Sequence, residues 1–262
     1  MNSLASSQGT SPEKAREVGD LLRRSAFERL YVSADDGHRV MLTMQRRMPE
    51  SVARFISEAF YGNLLETEHP GGPGDPIFRQ PFAMVDTADR PARERTERPV
   101  QRNEEWGIRG YVNELEARLI TQLVTGCARW YSDWAVIVPY RAQARRVTEL
   151  LTAALGDGAA IADSVGTVDS FQGGERDLII YGFTRSNSQG DIGFLKEQRR
   201  INVAITRARR QLVLVGDSTT LGHARDEAFA ALFHSMTTHL RQTGDLRRSR
   251  EVADQLTRVE GP

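Results

Sequence analysis

Lysine is almost absent from this chain. Among 262 residues only Lys14 and Lys196 carry an ammonium group, so nearly all positive charge is arginine. The bland reading of that bias, and the favoured one, is a GC-rich genome. The chemical reading, that a guanidinium fork suits phosphate better than an ammonium, applies only to particular arginines. Net charge is absent as well: 35 basic residues balance 35 acidic ones. No global field draws the chain to a polyanion, and any such binding needs a local patch. The single cysteine, Cys127, excludes a disulfide within the chain and a cysteine-rich metal site, and fits a reducing cytosol. No apolar run reaches membrane-spanning length. The opening M-N-S-L-A-S-S-Q-G-T-S-P lacks the basic start and apolar core of a signal peptide. A cytoplasmic protein with no membrane partner is the expectation. With 39% hydrophobic and 27% charged residues, the length suits one large globular domain or two small ones.

The organised stretch runs from Val165 to Asp217. Val165–Val168, Leu178–Phe183 and Gln211–Val215 have the length and β-branched content of strands. Between the last two, Glu197–Arg210 reads as a helix, with Ile201, Ala204, Ile205 and Ala208 at helical spacing. Arg200 and Arg207, seven residues apart, are expected on one stripe beside that apolar face. Strand, helix, strand implies a buried parallel sheet with arginines at its margin.

The rest of the chain extends this pattern. Met1 to about Arg16 is polar and expected to be disordered. Val18–Tyr31 has helical spacing. Val52, Phe55 and Ile56 mark a packed helix ending near Gly62. His69–Pro81, rich in proline and glycine, is a loop, and Phe82–Asp86 a short strand. The charge-dense block 87–105 reads as a mobile insert, a solvated face in preference to a nucleic-acid arm. Asn113–Val124 and Ala142–Leu155 are helices, the second closed by Gly156, with a buried strand, Trp134–Pro139, between them. A surface helix spans Ala224–Leu240, with Phe229, Leu232, Phe233 and Met236 inward. The expected layout is a polar lead-in (1–26), one α/β domain (27–242) with a mostly parallel sheet and helices on both faces, and a charged tail (243–262).

Three segments carry a resemblance. T-V-D-S-F-Q-G-G-E-R-D resembles motif V of superfamily 1 helicases, and R-R-I-N-V-A-I-T-R-A-R their motif VI. Val40–Leu65 resembles motif IV: Gln45, Arg47 and Met48 match, while Arg46 replaces a tyrosine, Pro49 a histidine and Glu50 a proline. The spacing of Asn113, Glu116 and Ala117 is also similar to the family, as is Pro139-Tyr140 with Gln143, although Val138 stands where a threonine is usual. The match covers Phe27 to Asp217 and is nearest the group containing the RNA-decay and Dna2-type helicases. It implies the C-terminal RecA-like domain, a three-layer sandwich. In this family A-F-E-R-L follows the first RecA-like domain, so the chain is expected to begin just after one. No G-x-x-x-x-G-K-[ST] occurs, and the D-E pair and Q-L-P-P of a first domain are missing too.

The resemblance assigns roles. Such helicases hold ATP between two RecA-like domains, the first supplying the phosphate loop and the Mg2+ carboxylate. Arg207 lies where motif VI carries its arginine finger, and Arg47 where motif IV carries a second phosphate-contacting arginine; the bland reading of each is a surface salt bridge. Glu175 would contact the nucleotide's sugar, with Gly173 and Gly174 allowing close approach. Arg46 replaces the tyrosine that packs on adenine, and a guanidinium plane also stacks on a base. Gln45 joins this nucleotide set. Thr167 would bond a nucleic-acid phosphate, and Asp169 and Gln172 would couple that contact to the ATP cleft; alternatively these are turn residues. Arg185 is a weaker candidate for the strand path, and Tyr140 offers a stacking face or is simply a partly buried tyrosine. Expected partners are single-stranded DNA or RNA and a first RecA-like domain supplied in trans. Alone, the chain is expected neither to hydrolyse ATP nor to unwind a duplex. A non-catalytic binding or interaction remnant is the alternative. No carboxylate cluster has nuclease spacing.

Overall fold

The computed structural model describes residues 30–31, 33–38, 40–69, 75–100, 110–156, 158–171 and 174–259. It divides into two units, Met1–Leu42 and Thr43–Pro262. In the first, a 3-10 turn at Asp36–His38 is described. The expected lead-in and all but the last residues of the Val18–Tyr31 helix lie outside the described residues. The second unit holds the sheet and every element discussed below.

Six strands form that sheet: β1 (Phe82–Asp86), β2 (Trp134–Ile137), β3 (Val165–Gly166), β4 (Arg176–Gly182), β5 (Ala208–Gly216) and β6 (Asp245–Arg248). Their order is β6-β1-β5-β4-β2-β3, and every pairing is parallel. Parallel strands joined by crossover helices must be covered on both faces, which explains their near-continuous Val, Ile and Leu. Side-chain alternation divides two cores. Met84, Ile179, Tyr181, Leu212 and Leu214 face one side, against α1 (Glu50–Phe60), α4 (Gln198–Ile205) and α5 (Glu227–Thr243). Val85, Val136, Leu178, Ile180 and Val213 face the other, against α2 (Glu114–Cys127), α3 (Arg141–Leu155) and α6 (Ser249–Val259). The result is the expected α/β three-layer sandwich with a parallel sheet.

Local chemistry sets the element ends. The Asn113 side chain accepts from Glu116 N at 3.1 Å and starts α2; that of Asp226 accepts from Phe229 N at 2.9 Å and starts α5. Gly156, at φ +84°, closes α3 in the left-handed region where a side chain would be strained. Among the described residues no helix is long and apolar enough to cross a membrane.

Three expectations need correction. Residues 243–262 are not simply a charged tail: β6 adds to the sheet edge beside β1, and α6 buries Val252 and Leu256. Those two apolar residues, four apart, are hidden in a strongly charged helix. Nor is the block 87–105 a mobile solvated insert over its described part. Ala92–Arg95 forms a helical turn, Arg98–Val100 pairs antiparallel with Gly110–Val112, and Glu97 is buried. Finally, the helix expected over Glu197–Arg210 stops at Ile205, because Ala208 already pairs with Arg176 at the start of β5. Arg207 therefore sits in the turn between α4 and β5, off the stripe that carries Arg200. Likewise β3 ends at Gly166, and Val168–Phe171 is a 3-10 turn.

Because all strands run one way, the sheet has two distinct rims. The starts of β4 and β5 lie on one, and the ends of β2, β3 and β4 on the other. Thr167–Phe171 follows the end of β3 on one rim, and Gly174 and Glu175 precede the start of β4 on the other.

Candidate functional site

At the rim where β4 and β5 begin, three distant stretches meet. Arg47 follows a short strand, Met44–Gln45, paired with Glu66–Thr67. Its Nε donates to Glu175 Oε2 at 2.6 Å and its Nη1 to the Thr206 carbonyl at 3.5 Å. Arg207 Nη1 donates to the Gly174 carbonyl at 2.6 Å, while the Arg207 carbonyl accepts from Arg176 N at 3.1 Å and anchors the residue to the sheet. Arg47, Glu175 and Arg207 thus converge. Arg207 is only 6% exposed, and among the described residues its buried Nε has no hydrogen-bond partner. Burial, and then the neighbouring Arg47 charge, lower its pKa. Arg47 pairs with Glu175 whereas Arg207 bonds a carbonyl, so this trio carries more positive than negative charge, and the Arg207 Nε is a donor without an acceptor among the described residues. That is an arrangement for an anion.

The nearby residues fall into three groups. Arg209 binds Asp133 at 2.6 Å and Asp177 at 2.9 Å, and lies 3.6 Å from Glu175; of these four only Glu175 stands out in the sequence. Gln45 is not open to a ligand: its Oε1 accepts from Arg47 N and Met48 N, and its Nε2 donates to Met48 O and the Thr67 hydroxyl. Its amide shapes the loop that presents Arg47. Arg46 points elsewhere, into an exposed pair with Glu68 at 2.8 Å. Gln172 and Gly173 lie outside the described residues.

Thr167 lies at the opposite rim. It lines a small cavity with Pro139, Asp169, Phe194 and Arg200, and the groove continues past Arg141 and Ser170. Asp169 is 3.7 Å from Arg200. Tyr140 and Arg185 do not offer themselves to a strand. Tyr140 is 3% exposed, its ring covered by Tyr111 at 5.3 Å and Phe194 at 5.5 Å. Arg185 is buried between Glu97 at 2.8 Å and Asp191 at 3.0 Å, over the Tyr111 ring. The block read as solvated supplies Glu97, a partner that local sequence gave no reason to place here.

Behind this rim lies a buried carboxyl, Glu116. Burial raises its pKa to about 8, against hydrogen bonds from Thr184 N at 2.7 Å, Gln143 Nε2 at 3.1 Å and the Thr184 hydroxyl, which favour the charged form. An ordinary carboxyl titrates near 4.5. Between those values the folded chain keeps a proton that the unfolded chain has lost. The stability drawn from neutral Glu116 is therefore complete below pH 4.5 and is lost as pH rises through about 8. The melting temperature should fall across that window, and Glu116→Gln should flatten the decline. An equal slope in the variant would remove Glu116 as its cause.

Sequence comparison gives this geometry its context. The AAA domain family matches residues 22–219. The chain is 33% identical over 261 residues to the DNA-binding protein SMUBP-2 of Mesocricetus auratus, covering 94% of this chain and 24% of that protein. It is 30% identical over 220 residues to the DNA polymerase alpha-associated DNA helicase A of Schizosaccharomyces pombe, covering 77% of this chain and 31% of that one. To the human DNA replication ATP-dependent helicase/nuclease DNA2 it is 34% identical over 163 residues, covering 60% and 14%. The chain therefore spans less than a third of each of these relatives. Residues 22–219, matched by the family, contain the segments that build both rims, and the chain belongs to the family of these relatives, as a C-terminal RecA-like domain of the superfamily 1 helicases.

Proposed function

We propose that this chain is the second motor domain of an ATP-dependent superfamily 1 helicase, lending Arg207 and Arg47 to a triphosphate held chiefly by a first RecA-like domain. The supporting observation is the convergence of Arg47, Glu175 and Arg207 around the partnerless Arg207 Nε. These residues fit ATP. Bound ATP supplies the terminal phosphoryl group for transfer to water, with negative charge on its oxygens. Arg207 and Arg47 would hold those oxygens, and Glu175 would contact the sugar. Among the described residues no group of three or more His, Cys, Asp or Glu is placed to hold a metal. Mg2+ ligands are assigned to the first domain.

The Thr167 hydroxyl bonds a phosphate of a single strand, and the Thr167–Glu175 segment, with Asp169 and Gln172, couples that contact to the nucleotide rim. The relatives' names speak of DNA, so single-stranded DNA is the first strand to test and RNA the second. A cytoplasmic setting remains part of this reading.

One observation favours a different role, a strand-binding or interaction module with no part in ATP turnover: the 262 residues contain no G-x-x-x-x-G-K-[ST]. Reconstitution separates the two. Mixing this chain with the first RecA-like domain of a superfamily 1 helicase should give ATPase activity stimulated by single-stranded DNA, with no steady turnover from this chain alone. Turnover by the pure chain, or strand binding with no ATPase in any mixture, would refute the motor-domain reading.

A further inference from the structure

Phe194 is the anomaly of the second rim. It is a large apolar side chain, 53% exposed, on a 3-10 turn at Gly193–Lys196. Its surroundings are neither loose nor exposed. Phe194 N donates to the Tyr140 hydroxyl at 3.5 Å, and Arg185 Nη1 donates to the same oxygen at 3.3 Å. Arg185 is in turn held by buried Glu97 and by Asp191. Gly193, at φ +54°, permits the close approach, since a methyl group there would overlap the Tyr140 hydroxyl and come within 2.8 Å of Arg185 Nη1. A buried chain of contacts from Glu97 through Arg185 and Tyr140 ends on one exposed ring. That ring lines the same cavity as Thr167 and Arg200.

We propose that Phe194 stacks on an unpaired base of a single strand whose phosphate lies at Thr167, and that Tyr140 and Arg185 act as positioning residues for it. This rests on the strand-binding part of the proposed function. An aromatic face beside a hydroxyl and a guanidinium matches the alternation of base and phosphate along a strand. Arg200 supplies the positive charge, with Glu197 at 3.0 Å and Asp169 at 3.7 Å as its neighbouring carboxylates. A fixed ring loses little freedom on binding, which is what the buried support provides. A duplex hides its base faces and does not fit. Stacking is indifferent to sequence, so the site takes unpaired bases as a class.

The test compares a fluorescein-labelled oligothymidylate with an abasic strand of equal length and charge, by anisotropy. Wild type should bind the base-bearing strand better. Phe194→Ala should lose about tenfold on that strand and nothing on the abasic one, a loss in the range of a single stacking contact. Because the ring is half exposed, the variant's melting curve should match wild type. Phe194→Trp should restore affinity, and its added fluorescence should be quenched by the base-bearing strand alone. If Phe194→Ala weakens both strands equally, or neither, the stacking role is wrong and the ring is a packing or protein-facing contact. If wild type binds neither strand, the strand-binding reading itself fails, and the Phe194 proposal with it.

Discussion

Replacing Arg207 by alanine is expected to lower kcat for ATP in the reconstituted motor by about a thousandfold or more, the scale of losing an arginine finger. Affinity for a single strand should hardly change, because Thr167 and Phe194 sit at the other rim. The geometry also separates this effect from a loss of folding. Arg207 is a nearly buried cation whose Nε has no partner among the described residues and which lies within the field of the Arg47 charge. Such a group costs stability in the absence of its anion. Arg207→Ala should therefore melt no lower than wild type. Lysine should not rescue turnover, since one ammonium cannot bond the Gly174 carbonyl and serve a phosphate in the geometry of a guanidinium fork. Turnover surviving in Arg207→Ala would rule out the finger role.

What local sequence made legible was decided by period. Strand runs such as Leu178–Phe183 and the stripe Leu119, Ile120 and Leu123 are repeating signals, and their elements stand where expected. The convergence at the first rim was carried by motif resemblance, since Arg47 and Glu175 are 128 residues apart. The differences have separate causes. Glu97, Arg185 and Tyr140 became a buried network through contacts between remote segments, and no window of sequence shows that a carboxylate in a charge run will find a buried guanidinium. Helix α6 was missed because Val252 and Leu256 give too small an apolar count to outweigh their charged neighbours. Phe194 was passed over because an aromatic in a loop reads as packing until its exposure is known.

The buried pair itself should carry the second large effect. Arg185 and Glu97 are each 4% exposed in their side chains and 2.8 Å apart. Breaking such a pair from one side leaves a buried charge without its main counterion, and costs about 3–5 kcal/mol. The two sides are not equivalent. In Arg185→Met, Glu97 keeps two donors, Ser186 N at 2.7 Å and Asn187 Nδ2 at 2.9 Å, but no cation. That carboxylate can take up a proton, so the urea midpoint of Arg185→Met should recover as pH falls. In Glu97→Ala, Arg185 keeps Asp191 and the Tyr140 hydroxyl, while Ser186 N and Asn187 Nδ2 lose their acceptor; guanidinium cannot shed its proton in this range, so no acid recovery should follow. The double variant Glu97→Gln/Arg185→Met removes both charges and should be more stable than either single change, because the desolvation cost disappears with the attraction. A double variant as unstable as the sum of the two would mean that the pair acts by shape and not by charge. In that case the link between Arg95 and Asp217 would be what fastens the 87–100 segment to the sheet.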